Sequence, residues 1–192
     1  MIAIIKYNAG NVNSVQNALD RLNVSSMVTD NFDLIQKADK VIFPGVGEAS
    51  STMKILKEKG LDRLIPTLKQ PVLGICLGMQ LMCKNNEEGN TIGMGIFDIN
   101  VNKFPSQNIV PHMGWNTISE LQSPIFSGIE EENDVYFVHS FYCELSKNTT
   151  SVCNYILPFS ASLQKDNFYA MQFHPEKSGR VGSRLLENFL KL

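Results

Sequence analysis

The chain has 192 residues, 43% of them apolar and 19% charged, with a formal net charge of −2. That length suits one domain over residues 1–192 with room for a hydrophobic core. The near-neutral charge, without a Lys/Arg cluster, speaks against nucleic-acid binding. The apolar run at residues 1–6 is too short for a signal peptide or a membrane span. Nothing later approaches a span, so no membrane association and a cytosolic location are expected. The four cysteines (Cys76, Cys83, Cys143 and Cys153) form no C-x-x-C pair and no Cys/His cluster with zinc spacing. No metal and no cofactor are expected, and in a reducing compartment all four are free thiols.

Strands and helices alternate through the first half. Residues 1–6 read as a strand, followed by a turn at Tyr7-Asn8-Ala9-Gly10-Asn11. A helix begins near Asn13 or Ser14, either of which is a good N-cap, with Val15, Ala18, Leu19 and Leu22 on one face. Residues 24–29 form a second strand, 32–38 a short helix and 41–43 a third strand that enters Pro44-Gly45-Val46-Gly47. A helix over 49–59 buries Met53 and Leu56, and a strand over 72–75 stops at Cys76. Cys83, two helical turns further on, reads as helix packing. This alternation predicts a parallel sheet covered by helices, α/β-hydrolase-like or flavodoxin-like, with its sites at the carboxyl ends of the strands.

From about Glu88 the texture changes. A glycine-rich loop over 89–97 precedes short strand-like runs at 99–104, 117–119, 135–138, 141–145, 151–156, 161–165 and 169–173. Turn residues separate them, so this half reads as largely antiparallel or mixed sheet, closed by a helix over 182–190.

The chemistry gathers at Gly74-Ile75-Cys76-Leu77-Gly78, a cysteine at a strand-to-helix turn with a glycine two positions away on each side. This is the nucleophile-elbow pattern with sulfur in place of oxygen, and a helix N-terminus favours the thiolate. A buried structural cysteine between packing glycines fits the same five residues. A nucleophile needs a base, and the chain has three histidines. His174 lies in Gln172-Phe173-His174-Pro175-Glu176, where the proline keeps it extended and Glu176, two positions on, can reach its ring. That supplies nucleophile, base and orienter in Cys-His-Glu order. His112 and His139 lack a nearby carboxylate and read as hydrogen-bonded structural histidines. Acyl transfer also needs oxyanion donors, for which the Leu77 N–H and the Gly45-Val46-Gly47 backbone are candidates.

These residues together resemble the triad (class I) glutamine amidotransferases. Within that group, Pro111-His112-Met113-Gly114-Trp115-Asn116, Tyr136-Phe137-Val138-His139-Ser140 and Phe173 through Gly179 are similar to the glutaminase subunits of imidazole glycerol phosphate synthase. The resemblance implies a flavodoxin-like sandwich: a central, mostly parallel sheet flanked by helices, with a smaller antiparallel or mixed sheet in the C-terminal half. It implies hydrolysis of L-glutamine by Cys76, His174 and Glu176, with Val46, Gly47 and Leu77 as the oxyanion hole. Glutamine would be held by Gly47, Leu77, Gln80, Glu88, Ser140 and Phe141.

The implied partner is a (β/α)8 cyclase in a heterodimer, which takes the ammonia to make imidazole glycerol phosphate and an aminoimidazole carboxamide ribonucleotide in histidine biosynthesis. Asn11, Met113, Trp115 and Asn116 would lie at that interface, a core tryptophan being the lesser reading of Trp115. The chain departs from the family pattern at Lys6, Asn8 and Glu48, all near the rim that would meet a partner. Two alternatives follow: a paralogue supplying ammonia for amidino-sugar (surface polysaccharide) synthesis, or a non-enzymatic scaffold of the same fold.

Overall fold

The computed structural model describes residues 1–7 and 11–192. In order, the first half comprises β1 (Ile2–Ile5), α1 (Val12–Arg21), β2 (Ser26–Thr29), α2 (Phe32–Lys37), β3 (Lys40–Gly45), α3 (Ala49–Lys59), α4 (Leu61–Leu64), β4 (Val72–Cys76) and α5 (Leu77–Met82). There follow β5 (Cys83–Asn86), β6 (Thr91–Ile92), β7 (Phe97–Lys103), β8 (His112–Ile118), β9 (Asn133–His139), β10 (Phe141–Cys143), β11 (Thr149–Asn154), β12 (Pro158–Lys165), β13 (Phe168–Met171) and α6 (Gly179–Lys191).

The main sheet has seven strands in the order β11-β12-β13-β4-β3-β1-β2. The run from β13 through β4, β3 and β1 to β2 is parallel, and β12 and β11 add an antiparallel edge. β1, β3 and β4 are buried along their whole length, as strands covered on both faces must be. Their two-residue period splits the core. Ile4, Ile42 and Leu73 face α1 and α6 with Leu19, Leu185 and Phe189, while Ile5, Phe43 and Val72 face Met53, Leu56 and Met79 of α3 and α5.

Several boundaries differ from the sequence expectation. The N-cap of α1 is Asn11 rather than Asn13 or Ser14, and its side chain makes no cap bond because it is committed elsewhere. Cys83 is not on a helix but opens β5, its sulfur 3.6 Å from that of Cys143. The strands of the C-terminal half do not form one separate sheet. β11, β12 and β13 complete the main sheet, β10-β7-β5-β6 form a four-stranded mixed sheet, and β8 pairs with β9 alone. Among the described residues no helix is long and apolar enough to cross a membrane.

Glu48 has a local role. Its carboxylate caps α3, accepting from the N–H groups of Ser50 at 3.0 Å and Ser51 at 2.8 Å. Hydrogen bonding from the Ser50 hydroxyl first, and then from the Ser51 N–H, holds its carboxyl at about 2.

Backbones approach very closely where α5 crosses β3. A Cβ on Gly78 would sit 2.0 Å from the Phe43 carbonyl oxygen, and one on Gly45 would sit 2.3 Å from the Gly78 nitrogen. Gly74 has Met82 Sδ at 2.8 Å and Gly78 C at 3.1 Å from the same position. The Gly74 and Gly78 pair around Cys76 is therefore what lets the helix leave the sheet so abruptly. Gly78→Ala is expected to destabilise the protein by about 3 kcal/mol, the upper end of overpacking costs, because the obstacle is backbone. Denaturant unfolding of the two proteins measures the difference.

Candidate active site

Cys76 ends β4 and precedes α5 with φ 53° and ψ −112°. A side chain in this region costs about 1–3 kcal/mol, and the packed glycines on either side sustain it. The turn points the thiol into a cleft of about 430 Å³ at the carboxyl edge of the parallel strands. Val46, Gly47, Leu77, Gln80, Glu88, Ser140, Phe141 and His174 line the same cleft, together with Pro111, Val138 and His139. A larger, more open groove of about 700 Å³ runs along α6 past Glu176 and Lys177, but Cys76 does not reach it.

The strand β13 ends just before Gln172 and delivers His174 to this edge. The His174 backbone N–H donates to the Tyr136 carbonyl of β9 at 2.9 Å, and Ser178 Oγ donates to the His174 carbonyl at 2.7 Å. Pro175 opens a 3-10 turn, Pro175–Lys177. Glu176 thus reaches the ring through a turn rather than along extended chain, with His174 Nδ1 to Glu176 Oε1 at 2.8 Å. A second donor, Asn11 Nδ2, meets the same carboxylate oxygen at 2.9 Å. The carboxylate fixes the hydrogen on Nδ1, so Nε2, buried and without a hydrogen-bond partner among the described residues, faces the cleft. Burial opposes charge on this ring. The neighbouring Cys76 sulfur and the Glu176 carboxylate, the latter bonded to Nδ1, outweigh burial and push His174 up to about 10.

The other two histidines are held neutral. His139 Nδ1 donates to the Phe141 carbonyl at 2.7 Å, which leaves its Nε2 to accept from His112 Nδ1 at 2.9 Å. His112 Nε2 then accepts from Asn116 Nδ2 at 3.1 Å. Burial drives His112 down to about 4 and His139 to about 3.

Glu88 and the Val46–Gly47 loop close the far side. Glu88 Oε2 accepts from the Ala49 N–H at 2.8 Å, and burial raises its carboxyl against that bond. Tyr7 donates its hydroxyl to the Pro44 carbonyl at 2.7 Å, anchoring the loop, and Gly47 has a φ of +108° that only glycine adopts freely. The Leu77 N–H, first of α5, adjoins the thiol. A nucleophile, an imidazole oriented by a carboxylate and backbone donors in one cleft can carry out acyl transfer.

The residues assigned to a partner surface fall into two groups. Met113 and Trp115 point outward from β8, 63% and 58% exposed. Trp115 stands edge-on to Tyr136, whose ring lies 5.9 Å below Lys177 Nζ. Asn116 and Asn11 instead turn inward, onto His112 and Glu176. Lys6 is exposed at the end of β1, its N–H on the Thr29 carbonyl at 3.0 Å, and Asn8 lies outside the described residues. Sequence reasoning missed the inward contacts of Asn11, Asn86 and Gln172. Only Gln172 carried a signal, being part of the motif that contains His174.

The class-I glutamine amidotransferase family matches residues 3–192. The chain is 58% identical over 194 residues to an imidazole glycerol phosphate synthase subunit HisH of Bacteroides fragilis, covering 100% of this chain and 99% of that protein. The protein of the same name in Colwellia psychrerythraea is 43% identical over 206 residues, covering 98% and 92%. Among solved structures, a glutamine amidotransferase superposes with a TM-score of 0.75 at 17% identity, covering 100% of this chain and 98% of the other. A glutamine amidotransferase of Thermotoga maritima superposes with a TM-score of 0.63 at 18% identity, covering 99% and 82%. At those identities the two superpositions speak to the fold.

The three histidines should separate cleanly in an NMR titration. His174 is expected to stay charged through pH 8 and to lose its proton near 10, while His112 and His139 stay neutral down to about 4 and 3. Because His174 lies above its ordinary 6.5, its contribution to stability is complete below about 6.5 and is lost as pH rises through 10.

Proposed function

The chain belongs to the class-I glutamine amidotransferases, and on that premise we propose that it is the glutaminase subunit of an imidazole glycerol phosphate synthase in histidine biosynthesis. The observation that carries the chemistry is the meeting, in one cleft, of the strained Cys76 with the buried His174–Glu176 pair. The whole-length similarity to named subunits of that synthase supports the pathway.

In this reading Cys76 Sγ attacks the side-chain amide carbon of L-glutamine. Leu77, Val46 and Gly47 N–H groups take the developing oxyanion. The C–N bond breaks as His174 Nε2 passes a proton to the nitrogen, releasing ammonia and leaving a thioester on Cys76. His174 then removes a proton from water, which attacks the thioester and frees glutamate. Glu176 holds the ring in place throughout. Gln80, Glu88 and the backbone at Ser140 and Phe141 bind the amino and carboxylate groups of glutamine. The ammonia passes to a (β/α)8 cyclase docked against Met113 and Trp115.

The amidino-sugar alternative drew its weight from Lys6, Asn8 and Glu48. Glu48 now has a role in capping α3 that involves no partner, and Lys6 is not among the residues that line the cleft. A scaffold would have no use for a buried imidazole aimed at a thiol.

The test is reconstitution with the cyclase of the same organism. Glutamine-dependent formation of imidazole glycerol phosphate is expected, and Cys76→Ala should lower it by at least about a thousandfold. The variant should still form the complex, and added ammonia should restore synthesis. Full glutaminase activity in Cys76→Ala would overturn the nucleophile. A competent complex that fails to stimulate glutamine turnover would overturn the pathway.

A further inference from the structure

One fully buried polar side chain at the cleft has no place in the chemistry above. Gln172 is 0% exposed, and its Nε2 lies 3.7 Å from Cys76 Sγ. The orientation of this amide is fixed by groups that cannot change roles. The Glu88 backbone N–H must donate, and it meets Asn86 Oδ1 at 2.8 Å. Asn86 Nδ2 therefore donates to Gln80 Oε1 at 3.3 Å. At the next link the Phe141 carbonyl can only accept, and Gln80 Nε2 meets it at 3.1 Å. The same Nε2 donates to Gln172 Oε1 at 3.0 Å. With its oxygen so engaged, Gln172 can present only N–H to the sulfur. Asn86 and Gln80 are also buried, at 2% and 4% exposure. Each amide dipole in the row is thus locked by the next.

We propose that Gln172 is a positioning residue for glutamine hydrolysis: its locked amide donates an N–H to the Cys76 sulfur, stabilises the thiolate and aims it into the cleft. The inference rests on Cys76 being the nucleophile. The sulfur has a second polar neighbour, the Val138 carbonyl at 3.9 Å, which can accept from a thiol but repels a thiolate. The two neighbours therefore discriminate between the protonation states, and Gln172 is the one that favours the reactive form. Burying three unionised amides is costly unless each is satisfied, and a row of apolar side chains would fill the same space. A row that ends on sulfur has a chemical use. It also joins Glu88, on the glutamine-binding side, to the reacting atom through three side chains.

The experiment is the pH dependence of Cys76 carbamidomethylation by iodoacetamide on the full chain, followed by peptide mass mapping. The other titratable groups around the sulfur are His174 and Glu176, His139 on β9, Glu88, Tyr7 at the end of β1 and Cys143 on β10. They are the same in every variant, so differences report on Gln172. Gln172→Met should slow modification about tenfold at pH 7, in line with a hydrogen bond to a charged group. Its midpoint should move up by about one pH unit, with the alkaline plateau unchanged.

Gln172→Glu keeps the shape and the bond from Gln80 but turns a carboxylate oxygen to the sulfur. It should slow modification more than Gln172→Met does, and Asn86→Leu, which releases the row at its far end, should slow it less. A purely structural role would instead change the plateau and leave the midpoint in place, with Gln172→Glu closest to the parent. A midpoint unmoved in both Gln172 variants overturns the inference alone. If Cys76 of the unsubstituted chain reacts no faster than Cys153, the nucleophile reading falls too.

Discussion

Everything at the cleft depends on one backbone conformation. Cys76 sits at φ 53° and ψ −112°, a region that costs energy and does not arise by propensity. It persists because α5 is pressed against β3 so closely that no Cβ fits at Gly78 or Gly45. Relaxing the turn would drag the helix through the Phe43 carbonyl. The strain is therefore held by the packing of the two central strands, and it lifts the thiol clear of the sheet edge. The same edge receives the Pro44–Gly47 loop from β3 and His174 from beyond β13, because β3, β4 and β13 run parallel and side by side.

Once these strands set the positions, burial decides the charges. Three histidines share one small region and one residue type, yet their protons behave oppositely. His174 has a carboxylate and a sulfur as neighbours and carries charge to about 10. His112 and His139 have each other, an amide and a carbonyl, and are driven to about 4 and 3. Glu176 also takes Asn11, the neutral pair ends on Phe141, and His174 Nε2 is left open toward the cleft. A neutral pair beside the cleft adds no second positive charge to compete for the sulfur. The row of amides from Asn86 to Gln172 is likewise uncharged, so the ionised groups nearest the sulfur are those of the His174–Glu176 pair.

Much of this was legible in the residues. The apolar run before Cys76, its flanking glycines and the proline after His174 each have a local physical meaning, so the elbow and the His-x-Glu contact could be read directly. The helix over Ala49–Lys59 also matched, because Met53 and Leu56, three apart, share its buried face. Other elements were not readable for specific reasons. Cys83-Lys84-Asn85-Asn86 has the composition of a loop, and β5 forms because its backbone pairs with β7 and the Asn85 side chain bonds Asn100 at 3.0 Å. Alternation identified the strands of the C-terminal half but carries no information about neighbours. Hence β11 to β13 could not be assigned to the main sheet. Asn11 read as a turn residue at a partner surface, since its partner Glu176 is 165 positions away.

The strand β8 shows why the cleft and the surface beyond it are physically one system. Its alternation is inverted: His112 faces the interior and Asn116 bonds inward, while Met113 and Trp115 face out. A pattern of hydrophobic side chains inside and polar ones outside therefore fails on this segment, and the strand expected at 117–119 overlaps only its last two residues. The inversion is tolerated only because the inward polar groups satisfy one another through the Asn116–His112–His139–Phe141 chain. The outward face then offers large apolar side chains to whatever covers it. His112 is the chain neighbour of Met113, and its partner His139 bonds the Phe141 carbonyl behind it. That carbonyl is the acceptor that orients Gln80, and through Gln80 it orients Gln172 beside Cys76. From His112, on the inner side of β8, a continuous run of hydrogen bonds leads through His139, the Phe141 carbonyl, Gln80 and Gln172 to the Cys76 sulfur.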